Sequence, residues 1–207
     1  MLRRSLSALS LVLLAAAPLA AQMSGMKDHD PDHKADGGKL PAGWMGRTDK
    51  PTAKIEDAKC VTMGPGFHVT SGPAAIYWRD ANNVSGPFSA TATFSQTKAP
   101  MHPEAYGIFF AGNKLEAADQ SYAYLLVRGD GKVMVKHRAG TQVHTILDWT
   151  ENAAVHKADA AGKATNKLTV DATKADSVRL LVNGSQVAAL ASAAWGELGR
   201  ASCSERV

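Results

Sequence analysis

Apolar residues in this chain recur at every second position in short runs, and Gly, Pro, Asn and Asp separate one run from the next. That period sorts side chains onto the two faces of a strand, whereas a helix would scatter them around its axis. Residues 88–95 are the clearest case. Phe88, Ala90, Ala92 and Phe94 fall on one face and Ser89, Thr91, Thr93 and Ser95 on the other, so one face is core and the other is wet or lines a groove. Residues 122–128 and 133–138 flank Gly129-Asp130-Gly131-Lys132, where a central Asp-Gly pair is expected to supply the positive φ angles of a tight hairpin. Residues 177–182 and 185–190 flank Asn183-Gly184 in the same way. Segments 67–70 and 74–79 flank Ser71-Gly72-Pro73, segment 105–111 is a mostly apolar run ending at Gly112-Asn113, and 168–172 is a further strand. Segments 54–63 and 142–147 are weaker strand candidates.

These amount to about ten short strands at the spacing typical of sandwiches and barrels, with no helix long enough to serve as a crossover. Parallel α/β folds are excluded on that ground, and the expectation is an all-β, antiparallel β-sandwich in one domain. The Ala-rich stretch 151–163 reads as a loop, and no internal repeat is visible.

The N-terminus reads as a targeting segment. Arg3 and Arg4 form a positive start, residues 6–17 an apolar stretch, and Pro18-Leu19-Ala20-Ala21 a small-residue exit, so residues 1–21 are expected to be a signal peptide cleaved near Ala21. The mature protein would then be periplasmic or secreted. No cysteine stands at the exit to anchor a lipid, and no second apolar stretch of membrane-spanning length follows, so no stable membrane insertion is expected. Residues 22–42 are polar, rich in Asp, His, Lys and Gly, and carry no hydrophobic period, the composition of a disordered leader. Of the net charge of +4, two charges belong to Arg3 and Arg4. The mature chain is close to neutral with its signs interleaved, which argues against a nucleic-acid partner.

The runs GPGFHVTSGPAAIYW, GPFSATATFSQTKAPMHPEAYGIFFAGNKL, YAYLLVRGDGKVMVKHR and NKLTVDATKADSVRLLVNGSQV resemble small exported bacterial proteins of the concanavalin A-like, laminin-G-like superfamily. These are distantly similar to the domain named for 3-keto-disaccharide hydrolases. The resemblance covers about residues 43–192 and implies a jelly-roll sandwich over 43–195. In the hydrolase-related domain an Asn-Ser-Gly-Ile stretch opens a central strand, where this chain reads Ala105-Tyr106-Gly107-Ile108. Residues 196–207, GELGRASCSERV, resemble a translated sequencing adapter and not a family ending. If that tail is non-native, Cys60 stands without Cys203, and the sandwich is expected to lack its last strand, leaving backbone groups of a neighbouring strand open.

For chemistry, the resemblance points to sugars. Laminarinase-like glucanases use carboxylates spaced Glu-x-Asp-x-x-Glu, and no such spacing occurs here. Glu104, after His102 and Pro103 at the mouth of an apolar strand, is the best single candidate acid. Tyr77, Trp78, Tyr106, Tyr122, Tyr124 and Trp149 offer aromatic faces suited to the C–H faces of sugar rings. Most of these are expected in the core, and of the neighbours Tyr77 and Trp78 one is expected buried and one presented. Arg128, Asp130, Lys136 and His137 could add polar contacts near the first hairpin, and His102 beside Glu104 is a further ligand-binding candidate. His68, His102, His137, His144 and His156 show no paired metal-ligand spacing such as H-x-x-x-H, so neither a metal nor a cofactor is expected. There is no serine-hydrolase elbow, P-loop or dinucleotide fingerprint. Carbohydrate binding is the leading expectation, followed by glycoside or 3-keto-glycoside cleavage at Glu104, and then an interaction domain without a small ligand. Oligomeric state is not legible.

Overall fold

The alternating runs resolve into fifteen strands in the computed structural model, which describes residues 40–63, 66–70, 72–191, 201–202 and 204–206. The expected signal peptide, all but the last residues of the leader, and residues 192–200 lie outside the described residues. In chain order the strands are β1 (Met45–Thr48), β2 (Lys59–Met63), β3 (Gly66–Thr70), β4 (Ala75–Trp78), β5 (Asn83–Val84), β6 (Phe88–Gln96), β7 (Ala105–Asn113) and β8 (Ser121–Arg128). They continue as β9 (Lys132–Ala139), β10 (Gln142–Glu151), β11 (Ala164–Lys174), β12 (Ser177–Val182), β13 (Ser185–Ala191), β14 (Ala201–Ser202) and β15 (Ser204–Arg206). One sheet runs β1-β4-β15-β7-β8-β9-β10 and a second β13-β12-β11-β6, while β2–β3 and β5–β14 are separate pairs. All the pairings in the two large sheets are antiparallel. Among the described residues the helical segments are two single 3-10 turns, Ile55–Asp57 and Asp80–Asn82, and no helix is long and apolar enough to cross a membrane.

The two sheets pack face to face. Ile108, Phe110, Leu125, Val127, Val133 and Val135 of the larger sheet meet Phe94, Leu168, Val170, Leu180 and Val182 of the smaller in one buried cluster. Each such side chain contributes about 1.5–3 kcal/mol by leaving water. β6 and β11 alternate strictly because their other face is open: there Thr91 meets Thr169, and Ser95 meets Thr165, hydroxyl to hydroxyl at 2.9 Å. β7 and β8 instead read as continuous apolar runs because their second face is buried too, by a cluster of Ile76, Trp78, Phe109, Tyr122, Tyr124, Leu126 and Met134. A strand dry on both faces has no polar alternation to show.

The turns differ in kind. Asn183 and Gly184 both take positive φ, 50° and 85°, and Val182 pairs with Ser185, the two-residue corner that Asn-Gly specifies. At the β8–β9 turn only Gly131 does so, at 86°; its N–H donates to Arg128 O at 3.0 Å and Arg128 pairs with Lys132. This corrects the expected Asp-Gly corner to a three-residue loop closed by a left-handed glycine, in which Asp130 keeps an ordinary conformation. The weak strand 54–63 is likewise a 3-10 turn followed by β2.

The expected gap in the sheet is filled over three residues. β15 lies between β4 and β7, pairing Ser204 with Phe109, Glu205 with Ile108 and Arg206 with both Gly107 and Ile76. The open N–H and C=O row of a strand is a template for any extended segment within reach, and this part of the tail takes that position.

One buried polar residue ties the loop after β10 to the sandwich. Asn166, 0% exposed, accepts at Oδ1 from the His156 N–H and from Asn183 Nδ2, each at 2.8 Å. Its Nδ2 donates to Tyr106 Oη at 3.1 Å and to His156 O at 3.2 Å. Asn183 Nδ2 also donates to Ala154 O at 2.8 Å. Replacing Asn166 by Leu strands several of these groups without water, and is expected to lower the unfolding free energy by about 3 kcal/mol or more. Urea denaturation measures this, and a loss below about 1 kcal/mol would show the network to be dispensable.

Candidate functional site

The connection from β7 to β8 turns back over the outer face of the larger sheet. Two non-glycine residues, Ala111 near the end of β7 and Lys114 just after it, hold φ of 54° and 49°, and the β7–β8 register shifts between Phe110 and Asn113. A bulge of this kind re-aims the chain. Leu115 then packs on the outer cluster, and Arg47 of β1 donates through Nη1 to the carbonyls of Leu115, at 3.0 Å, and Ala117. Within the loop, Lys114 Nζ lies 2.6 Å from Asp119 Oδ2, and that hydrogen bond holds the Asp119 carboxyl below its usual range.

Between this loop, the ends of β1 and β4, and the Asp80–Asn82 turn lies a cleft of about 470 Å³. Its lining combines the apolar Met45, Trp78 and Leu115 with the polar Asp80, Asn83, Asn113, Lys114 and Glu116. The walls come from three separate stretches of chain. A volume of this order suits one small polar ligand, as apolar walls with a few convergent polar groups generally do.

Of the aromatic, histidine, arginine and acidic candidates read from the sequence, Trp78 alone lines this cleft. Tyr77 and Trp78 do point opposite ways, but both are 5% exposed, which corrects the expectation that one is presented. β4 is covered on both sides, Trp78 joining the outer cluster and Tyr77 a third one with Ala58 and Ala75, where burial pushes its phenol pKa up. Tyr122 and Tyr124 are buried beside Phe109, with Tyr122 ring centroids 5.4 Å from Phe109 and 5.7 Å from Tyr124. Tyr106 faces the inner core, where burial raises its pKa against the opposing hydrogen bond to Asn166.

At the other end of the sheet Arg128 stacks over Trp149 at 4.5 Å and pairs with Asp130. This arrangement occupies the guanidinium within the protein. His102 is exposed and Glu104 half-buried. Glu104 precedes the start of β7 while the strand's own cleft residues, Gly112 and Asn113, are at its end, a separation from Glu104 to Gly112 of about 26 Å at the rise of an extended strand. Asp80, Asn83 and Glu116 were not singled out by sequence; Asp80 and Glu116 stand on connections and Asn83 opens the two-residue β5, none in a spacing motif, and being polar at or beside connections was their one signal. Among the described residues no group of three or more His, Cys, Asp or Glu side chains could hold a metal ion.

No protein-family model and no curated protein matches the chain. Similar solved structures include sheep galectin-11 in complex with glycerol, at 9% identity and a TM-score of 0.36, covering 59% of this chain and 92% of that one. The catalytic domain of an endo-1,3-beta-glucanase (laminarinase) from Thermotoga petrophila RKU-1 is similar at 11% identity and a TM-score of 0.41, covering 86% of this chain and 84% of that one. The apo Crh5 transglycosylase is similar at 12% identity and a TM-score of 0.40, covering 86% and 73%. Likeness at this level assigns no family and no activity.

His137 lies with its Nε2 3.0 Å from Ser121 Oγ and its ring stacked on His144. Burial, and secondarily the charge of His144, lower its pKa. The unfolded chain therefore takes up the proton more readily than the folded one, so stability is complete above the ordinary histidine pKa and falls as pH drops through it toward the lowered value. Urea midpoints measured from about pH 8 to pH 5 are expected to fall, and His137→Gln to flatten that fall. A His137 titration midpoint at or above that of free histidine, followed by NMR, would contradict this.

Proposed function

We propose that this protein is an exported carbohydrate-binding β-sandwich whose ligand sits in the cleft beside Trp78. The observation that carries the reading is the composition of that cleft: the half-buried Met45 and Leu115 beside the buried Trp78, together with carboxylate and amide side chains from separate stretches of chain. A sugar ring offers a rim of hydroxyls that both donate and accept, which is what Asp80, Asn83 and Glu116 can answer, and an apolar C–H face that Met45 and Leu115 can cover. The signal-peptide pattern around Arg3 and Arg4 supports a periplasmic or secreted setting, where glycans are within reach.

A second reading, glycoside cleavage, moves from Glu104 to the cleft, because Asp80 and Glu116 both line it and glycosidases work with paired carboxylates. Glycan-array screening followed by titration tests both. Asp80→Asn, Asn83→Ala and Glu116→Gln are expected to weaken a retained glycan by about tenfold or more, the effect of losing about 1.4 kcal/mol, while the unfolding midpoint stays put. Release of reducing sugar that disappears in Glu116→Gln would favour cleavage. Retention of the glycan unchanged in all three variants would remove the cleft from either reading.

A further inference from the structure

The β9–β10 hairpin brings together two histidines that sequence spacing keeps seven positions apart. His144 pairs directly with His137 across the two strands, and their rings lie 5.9 Å apart, centroid to centroid, with planes at 25°. We propose that His137 and His144 form a two-histidine site for a divalent transition metal of the copper or zinc class.

Directly paired residues of an antiparallel ladder project from the same face, so both imidazoles can turn toward one ion. Two imidazoles bound to one metal at about 2.0–2.1 Å bring their ring centroids to about 5 Å, so side-chain rotation covers the remaining distance of about 1 Å. Ser121 Oγ, 3.0 Å from His137 Nε2, is placed as the outer partner that orients a metal-bound imidazole. His144 is exposed, on the strand that ends the larger sheet, which provides an entry path and leaves the remaining coordination positions to water or an incoming ligand. Imidazole donors select copper, nickel and zinc over magnesium or calcium. The site is remote from the cleft in sequence and stands whether or not the cleft binds sugar.

The test is calorimetric titration of the full chain with copper(II) and with zinc(II) above neutral pH, with electron paramagnetic resonance of the copper form. It is carried out in a His29→Ala, His33→Ala background, so that the N-terminal histidines contribute nothing. Expected are one copper per chain with nitrogen hyperfine structure, and loss of at least about tenfold in affinity in His144→Ala. Ser121→Ala is expected to weaken binding by about tenfold through its effect on the His137 ring, while His156→Ala leaves it unchanged. His144 is exposed, so its variant folds and carries the test even if His137→Ala does not. Absence of binding in this background, or binding unaffected by His144→Ala, overturns the proposal.

Discussion

β7 and β8 are buried on both faces over most of their length, and the placement of nearly every other element follows from what it must cover. On the inner side the apolar residues of the smaller sheet close over Ile108, Leu125 and Val135. On the outer side Phe109, Tyr122 and Tyr124 demand an equal cover, and receive it from β4, Leu115 of the β7–β8 loop, Met45 of β1 and Trp149 of β10. A sheet this apolar on its second face cannot leave that face to water without forfeiting about 25 cal/mol for every Å² exposed. The middle of the outer face is therefore packed, and the cleft opens at its margin, where the covering loop meets the ends of β1 and β4.

That second face also buries charge. Arg138 Nη2 lies 3.2 Å from Asp49 Oδ2, with side chains only 12% and 18% exposed, and Tyr122 Oη donates to Asp49 Oδ1 at 3.5 Å. An enclosed pair of this sort contributes little net stability, since desolvation offsets attraction, but breaking it leaves a charge in a dry place. Its effect is to fix the stretch after β1 over the β8–β9 ladder in one position. Nearby, Arg138 Nε and Gln120 Oε1 are buried without a hydrogen-bond partner among the described residues, a cost that the surrounding aromatic packing must offset.

The two candidate sites contrast in how they arise. The cleft is assembled from strand ends and connections that lie far apart in the sequence, so its polar residues are placed only when three stretches of chain converge. The histidine pair is assembled by register: seven residues apart, His137 and His144 meet because the chain reverses between β9 and β10. Spacing rules drawn from helices do not detect such a pair, since they look for residues one turn apart.

Much of the architecture was legible from residues alone. The alternation of Phe88, Ala90, Ala92 and Phe94 against Ser89, Thr91, Thr93 and Ser95, and the Asn183-Gly184 corner, determine strand, face and turn locally, because pleat and left-handed φ depend on neighbours in the chain. Which of Tyr77 and Trp78 would stay exposed was not local, because burial of the second face depends on segments distant in sequence; both proved buried. The same holds for Glu104, placed by sequence at a strand mouth and by the fold at the far end of β7 from the cleft. Position along a strand is written in the chain, but what lies across from it is decided by which strands pair and what the sheet is packed against.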